Sequence, residues 1–300
     1  MSQILRSLIG GFLMGTADLV PGVSGGTIAL VLGIYERLVN SIREGSTALG
    51  AILKADVAGF KQHLGRVEWV FLVPLLAGIL TAVISLSSFL AHQLEERPTI
   101  LAGVFFGLVL GSVVVAWRLL REPKPIHLAV GVLVALALFF ILGLGGEDTA
   151  LSEPSLAVYF GAGALAICAM ILPGISGSLI LLLIGMYAPV LDALNEREFL
   201  IIGVFILGAI IGLAIFSQVL HWALRRHHDL ILAALVGLMG GSLRVVWPWP
   251  EGVESAALAA PGDDWLAVSV AAAIGFIAVF AISRLAPSKA DEISEPLPAG

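Results

Sequence analysis

Charge is what this sequence has least of. Charged residues are 13% of its 300 positions and hydrophobic residues 59%, whereas soluble domains carry roughly 25% charge. Mean hydropathy is +1.03. Such a chain cannot cover a core with polar surface, so a soluble globular protein is excluded and an integral membrane protein is expected. Apolar segments and short loops fill nearly the whole length, leaving no room for a separate soluble domain. Cysteine is almost missing. Cys168 stands alone in apolar sequence, which excludes an internal disulfide and a cysteine-based zinc site. The six histidines form no metal set, and His227-His228 beside Arg225-Arg226 reads as a solvated loop. No cofactor and no nucleic-acid partner are expected. The first apolar run leads into a polar motif rather than a cleavage site, so a cleaved signal peptide is not expected either.

What is present is one short polar motif, twice. Pro21-Gly22-Val23-Ser24-Gly25-Gly26-Thr27 is answered by Pro173-Gly174-Ile175-Ser176-Gly177-Ser178, an offset of 152 residues. The likeness runs on through Gly33-Ile34-Tyr35 and Gly185-Met186-Tyr187. Proline cannot donate a backbone hydrogen bond and glycine weakens a helix, so each copy breaks an apolar helix. In hydrocarbon each backbone group so released costs several kcal/mol unless protein or water satisfies it. Later segments align at an offset of 130, Gly78 with Gly208, Gly107 with Gly237, Gly111 with Gly241 and Trp117 with Trp247. Matching breaks in two halves of an apolar chain point to the binding site of a transporter.

These signals predict an all-α, polytopic membrane protein with six spanning helices and two re-entrant broken-helix hairpins. Residues 1–150 form the first repeat: hairpin 4–39, with its second arm over 27–39, an interfacial amphipathic helix 41–67, and three spans within 69–146. Residues 151–285 form the second, with hairpin 155–191 and three spans within 199–283; residues 286–300 read as a disordered tail. Apolar residues at helical spacing from Leu49 to Leu64, with Lys54, Asp56, Lys61 and Arg66 on other faces, underlie the surface helix. Arg37 to Arg66, Arg118 to Lys124, Arg225-Arg226 and Arg284 to Lys289 fall on one side. Glu95-Glu96, Glu147-Asp148, Asp192 to Glu198 and Glu251 to Asp264 fall on the other. The basic side is expected to be cytoplasmic, with both termini inside and the halves inverted. Two full spans in place of each hairpin would return to the same side; the short helices favour re-entry.

Where the breaks meet, two half-helix N-termini offer unpaired N–H groups and partial positive charge, which suits phosphate or carboxylate. Substrate contacts are therefore expected from Pro21, Gly22, Ser24, Gly25, Gly26 and Thr27, and from Pro173, Gly174, Ser176, Gly177 and Ser178. The plain structural alternative is that these residues only cap broken helices. Asp18, matched by Met170 in the second half, is a candidate for a coupling proton or sodium ion, or else a helix cap. Glu36 is a second coupling candidate, although Glu36-Arg37 is most simply a local ion pair. Arg244, beside Trp247 and Trp249, could draw an anionic head group from one leaflet, and Arg118 could release it at the other. Each is otherwise a snorkelling or anchoring arginine. The Gly-xxx-Gly spacings read as close helix packing.

Asp18-Leu19-Val20-Pro21-Gly22-Val23-Ser24-Gly25-Gly26-Thr27 and Gly241-Ser242-Leu243-Arg244-Val245-Val246-Trp247-Pro248-Trp249 resemble the bacterial polyprenyl-phosphate transporter family, over most of the chain to about Ser283. The resemblance implies a multi-pass protein of the bacterial cytoplasmic (inner) membrane, with membrane lipids around it and a polyprenyl-phosphate lipid as substrate. It implies return of undecaprenyl phosphate from the outer to the inner leaflet for cell-wall synthesis, without covalent chemistry. Two other readings compete. A membrane phosphatase for the lipid pyrophosphate would place arginine beside the serine, where Gly25 and Gly177 stand here. A transporter of a small soluble anion would need a closed aqueous pore.

Overall fold

The structure is a computed structural model that describes residues 3–20, 23–144, 154–250, 252–254 and 257–284. Pro21, Gly22, the acidic pair Glu147-Asp148 and the expected tail 286–300 lie outside the described residues. All regular elements among those described are helical, as the composition predicts. The first half holds α1 (Gln3–Asp18), α2 (Gly25–Val31), α3 (Tyr35–Leu53), α4 (Val57–Arg66), α5 (Trp69–Glu96), α6 (Pro98–Trp117) and α7 (Pro125–Leu144). The second holds α8 (Leu156–Ile171), α9 (Gly177–Leu183), α10 (Tyr187–Asn195), α11 (Phe199–Arg226), α12 (His228–Ser242) and α13 (Trp265–Ser283).

Among the described residues five helices, α5, α6, α7, α11 and α13, are long and apolar enough to cross a bilayer. The sixth expected span is shorter than its apolar run. Helix α12 has 15 residues, below the about 20 of a full crossing, and continues as turns through Val246. The long helices turn bulky side chains outward; Ile84 and Phe199 are 81% and 79% exposed. That is the surface expected of a chain whose solvent is hydrocarbon.

Lipid is as apolar as leucine, so helices in it associate through close packing, which small residues allow. Gly78 of α5 packs on the Leu8 carbonyl of α1, and Gly208 of α11 on the Phe160 carbonyl of α8. Gly11 packs on the Leu75 carbonyl and Gly163 on that of Phe205. Each second contact is the first moved by 152 residues on one helix and 130 on the other. The expected role of the glycines is met. The same equivalence holds between the halves: α6 packs on α13 through Gly107 against the Ala272 carbonyl, and α12 on α7 through Gly237 against that of Gly131. Each half therefore places its last long helix on the middle helix of the other, and the halves interlock.

Two expected helices are divided. The arm predicted over 27–39 ends as α2 at Val31, and α3 begins at Tyr35. Gly33 has φ +69, with Ile34 N donating to the Ala29 carbonyl and Gly33 N to that of Leu30. This is a Schellman stop, in which the left-handed residue is usually glycine. Gly185, with φ +70, repeats it through Met186 N to Leu181 O, and α9 and α10 bend by 110° there. The surface helix expected over 41–67 is the second correction. Helix α3 ends at Leu53 and α4 starts at Val57, after a turn in which Asp56 Oδ1 accepts from Gly59 N at 2.8 Å. Helix α3 also packs polar groups against protein. Its Glu44 is buried, bound by Arg43 and by His63 of α4 at 2.8 Å each, and Ser46 meets Ser217 of α11. Leu49, Ile52 and Val57 of the expected apolar face are exposed, and α4 buries none of its residues.

Candidate functional site

The two breaks touch. Ser24 and Thr27, 2% and 0% exposed, sit at the start of α2. Thr27 Oγ1 accepts from the Gly174 backbone N–H at 2.9 Å. Ser24 Oγ lies 3.4 Å from the carbonyls of both Met170 and Leu172, and accepts from Gly26 N at 3.1 Å. Tyr35 OH donates to the Ile171 carbonyl at 3.2 Å. Three side chains of the first break region thus satisfy the backbone that the second break releases, which answers the question of where those polar groups go in an apolar interior. Gly26 approaches the Ile171 carbonyl where a Cβ would crowd it, and Gly174 sits at φ +84 against the Met239 backbone of α12.

The breaks match in sequence but differ in chemistry. At the first, Asp18 Oδ1 accepts from Gly25 N at 2.5 Å, so the acid caps α2. The start of α2 is therefore closed by Asp18 and Ser24. At the second, Met170 stands where Asp18 would be, and Ser176 gives α9 no side-chain cap. Ser176 Oγ lies 2.7 Å from Ser178 Oγ, and Ser178 is exposed. Gly177 packs on Met170 and the Ala166 carbonyl. Of the buried pair Pro173 and Gly174, Gly174 packs on α12 and Pro173 lies against Gly26 of the first break.

Arg244 follows α12, with its guanidinium against Gly143 and 4.9 Å from the Phe139 ring centre of α7. Neighbouring Val245 packs in one apolar cluster with Leu138, Leu142 and Ile175, so Arg244 lies on the flank of the second break. Trp247 meets Trp249 edge-on beside it. Arg118 goes elsewhere: it caps α6, exposed, 5.6 Å from the Phe280 ring centre.

The pair expected between Glu36 and Arg37 does not form. Arg37 Nε donates to Glu68 Oε2 at 2.6 Å and the guanidinium lies 4.4 Å from the Phe71 ring centre, while Glu36 Oε1 meets His228 Nε2 at 2.9 Å. Adjacent helical residues point apart, so each finds a partner on another element. His228 is not a solvated loop residue. Its side chain is 15% exposed and also meets Asp229 Oδ1 at 2.8 Å.

These residues border a feature that residue patterns did not expose. A cavity of about 860 Å³ opens at the basic end between α1, α3, α11 and α12, with Arg6, Arg37, Arg121, Arg225, His221 and His228 on its walls. Its inner wall includes Tyr35 and Leu30, so it reaches the contact between the breaks. Arg118, singled out from sequence, is off this cavity, and Arg121, three residues on, is on it. The available signal was the clustering of basic residues at the ends of α1, α6 and α11.

The helix set and the two joined breaks define a polytopic membrane protein with a polar crossing point in its interior. The chain belongs to the family described as undecaprenyl phosphate translocase-like, whose model matches residues 14–262. It is 43% identical over 248 residues to a protein of Vibrio cholerae serotype O1 named polyprenyl-phosphate transporter, covering 82% of this chain and 79% of that one. It is 31% identical over 295 residues to a Staphylococcus aureus protein of the same name, covering 93% and 96%. No solved structure matches the chain. The family is one of transporters and not of enzymes. Glycine follows both motif serines, where a lipid phosphatase would place arginine.

Proposed function

We propose that this protein carries polyprenyl phosphate, specifically undecaprenyl phosphate, from the outer to the inner leaflet of the bacterial cytoplasmic membrane, for reuse as the lipid carrier of cell-wall synthesis. The observation that carries the reading is the hydrogen-bonded contact between the two breaks in the buried interior, Thr27 to Gly174 and Ser24 to Met170 and Leu172. A charge at the bilayer centre costs at least ~2.5–3.5 kcal/mol, whereas each buried CH₂ contributes about 0.8 kcal/mol to keeping a prenyl chain in lipid. The tail therefore stays in the membrane and only the phosphate needs a protein route.

The two faces of the contact take different parts. On one, Arg244 and the hydroxyls of Ser176 and Ser178 receive the head group at the open end of α9. Ser24 and Thr27, with Gly25 and Gly26, form the barrier the phosphate passes. On the other face the basic cavity leads inward. Helices α1 and α8, 16 residues each, are about 24 Å long against a core of about 30 Å, which supports re-entrant hairpins of inverted topology. The basic end is cytoplasmic and both termini are inside.

Moving a negative charge inward works against the membrane potential by ~2.3 kcal/mol per charge per 100 mV. A proton or sodium ion carried with it offsets this, at Asp18 or at Glu36. The test is a leaflet-resolved assay of labelled undecaprenyl phosphate in proteoliposomes. Transport should slow with Arg244→Ala and with the Ser24→Ala, Ser176→Ala double change, while both variants still insert. Rates equal to wild type in both would end the reading of the site. Either Asp18→Asn or Glu36→Gln should abolish the dependence on the driving ion gradient, and the variant that does so marks the coupling site.

A further inference from the structure

The basic cavity holds more charge and more room than a passage needs. Its walls carry Arg6, Arg37, Arg121 and Arg225 against the carboxylates of Glu36 and Glu68. Those two acids are already engaged, Glu68 by Arg37 and Glu36 by His228. The guanidinium groups of Arg121 and Arg225 form no ion pair among the described residues, although the Arg121 backbone amide donates to Asp229 Oδ1 at 3.1 Å, and the two come from different elements, the α6–α7 loop and the end of α11. His221, one turn before Arg225, stands on the same wall. Arginines converging from separate elements match the several oxygens of a phosphate dianion better than a single carboxylate.

Apart from Gln3, Ser7 and Asn40, the rest of the lining is mostly apolar: Leu30, Leu32 and Ile34 on the α2–α3 side, Leu119, Leu224 and Leu232 opposite. A free phosphate has no use for that surface, and about 860 Å³ is within the range of about 300–1,000 Å³ of pockets that hold drug-sized ligands. We infer that the cavity is an inner binding site for a phosphomonoester still attached to its isoprenoid chain, with the phosphate at Arg121 and Arg225 and the first prenyl units on the leucine wall. This rests on the transport reading above and adds to it a resting place on the far side of the barrier. Tyr35, whose hydroxyl holds the Ile171 carbonyl, stands between the two.

The experiment is calorimetric titration of the full chain in detergent with farnesyl phosphate, farnesol and inorganic phosphate. Farnesyl phosphate should bind the wild type, at least about tenfold tighter than inorganic phosphate, with farnesol weaker than either. Arg121→Gln with Arg225→Gln should weaken farnesyl phosphate about tenfold or more, since each removes a charge-assisted hydrogen bond. Arg225→Lys should recover part of the loss. Lys61→Gln, on exposed α4 away from the cavity, should change nothing. Both changed arginines are exposed, and an unaltered melting midpoint will show that the fold survives. Binding by the double variant within about twofold of wild type would overturn the assignment. So would equal affinity for inorganic and farnesyl phosphate, which would give the cavity to a free anion. A wild type that moves polyprenyl phosphate but does not bind farnesyl phosphate overturns the cavity site alone. One that does neither overturns the transport reading with it.

Discussion

At the scale of single residues, the first break spends its polar side chains on the second. Thr27 is the clearest case, because its hydroxyl is the acceptor for the Gly174 amide in a fully buried contact. Thr27→Val keeps the shape and strands that amide, which should destabilise by about 1–3 kcal/mol; Thr27→Ser should restore most of it. Gly174→Ala adds two effects, a left-handed φ of +84 and a Cβ driven into the Met239 backbone. Their combined cost is about 2–5 kcal/mol. Melting midpoints in detergent will rank the three, with Gly174→Ala lowest. A midpoint for it at or above wild type would mean that the second break is not packed on α12.

At the scale of elements, helix pairs are fixed by glycine against carbonyl, and the same contact serves both halves. Gly78→Leu and Gly208→Leu should each lower the melting midpoint by similar amounts, since each thrusts a side chain into the backbone of the partner helix, at Leu8 and at Phe160. The acidic end is tied differently. Asp264, before α13, accepts from Thr99 Oγ1 of α6 at 2.6 Å and from Trp249 Nε1 at 2.9 Å. The Thr99 and Trp249 hydrogen bonds hold its carboxyl below the usual range against the opposite pull of burial. A carboxylate depressed in the folded state contributes stability above the unfolded value of about 3.9 and loses it as pH falls through the folded value. Asp264→Asn should therefore lower the midpoint at pH 7, with the gap to wild type closing below about pH 4. A gap that stays constant from pH 7 to pH 3 would show that the carboxylate charge has no part in the tie.

At the scale of the whole molecule, sidedness follows from where the charges lie. In a Cys168→Ser background, cysteines placed at Arg121 and Arg226 should react with an impermeant reagent only from the cytoplasmic side, and one at Glu196 only from outside. The opposite pattern would invert the transport direction proposed here. The interlocking of α6 with α13 and of α7 with α12 also means that the halves cannot rock as separate blocks without breaking the glycine contacts. The contact between the breaks, where short α2 meets the end of α8 and Gly174, is held by far fewer such packings.

Much of this was written along the chain. Apolar length made the long helices, repeated Pro-Gly-x-Ser made the breaks, and the offsets of 152 and 130 recur in the atomic contacts of α1 with α5 and α8 with α11. Gly33, Gly185 and Asp56 carried the signal for the stops that divided the expected helices, and were passed over because the apolar pattern runs through them. Tertiary structure alone decided which of two equivalent breaks is closed. Asp18 and Ser24 cap one helix start, while Ser176 leaves the other uncapped. It also decided that Glu36 and Arg37 part company, and that Arg121 rather than Arg118 faces the cavity. Period and spacing are properties of one strand of chain. A hydrogen-bond partner 147 residues away, or a cavity walled by helices from both halves, exists only once those helices have been packed.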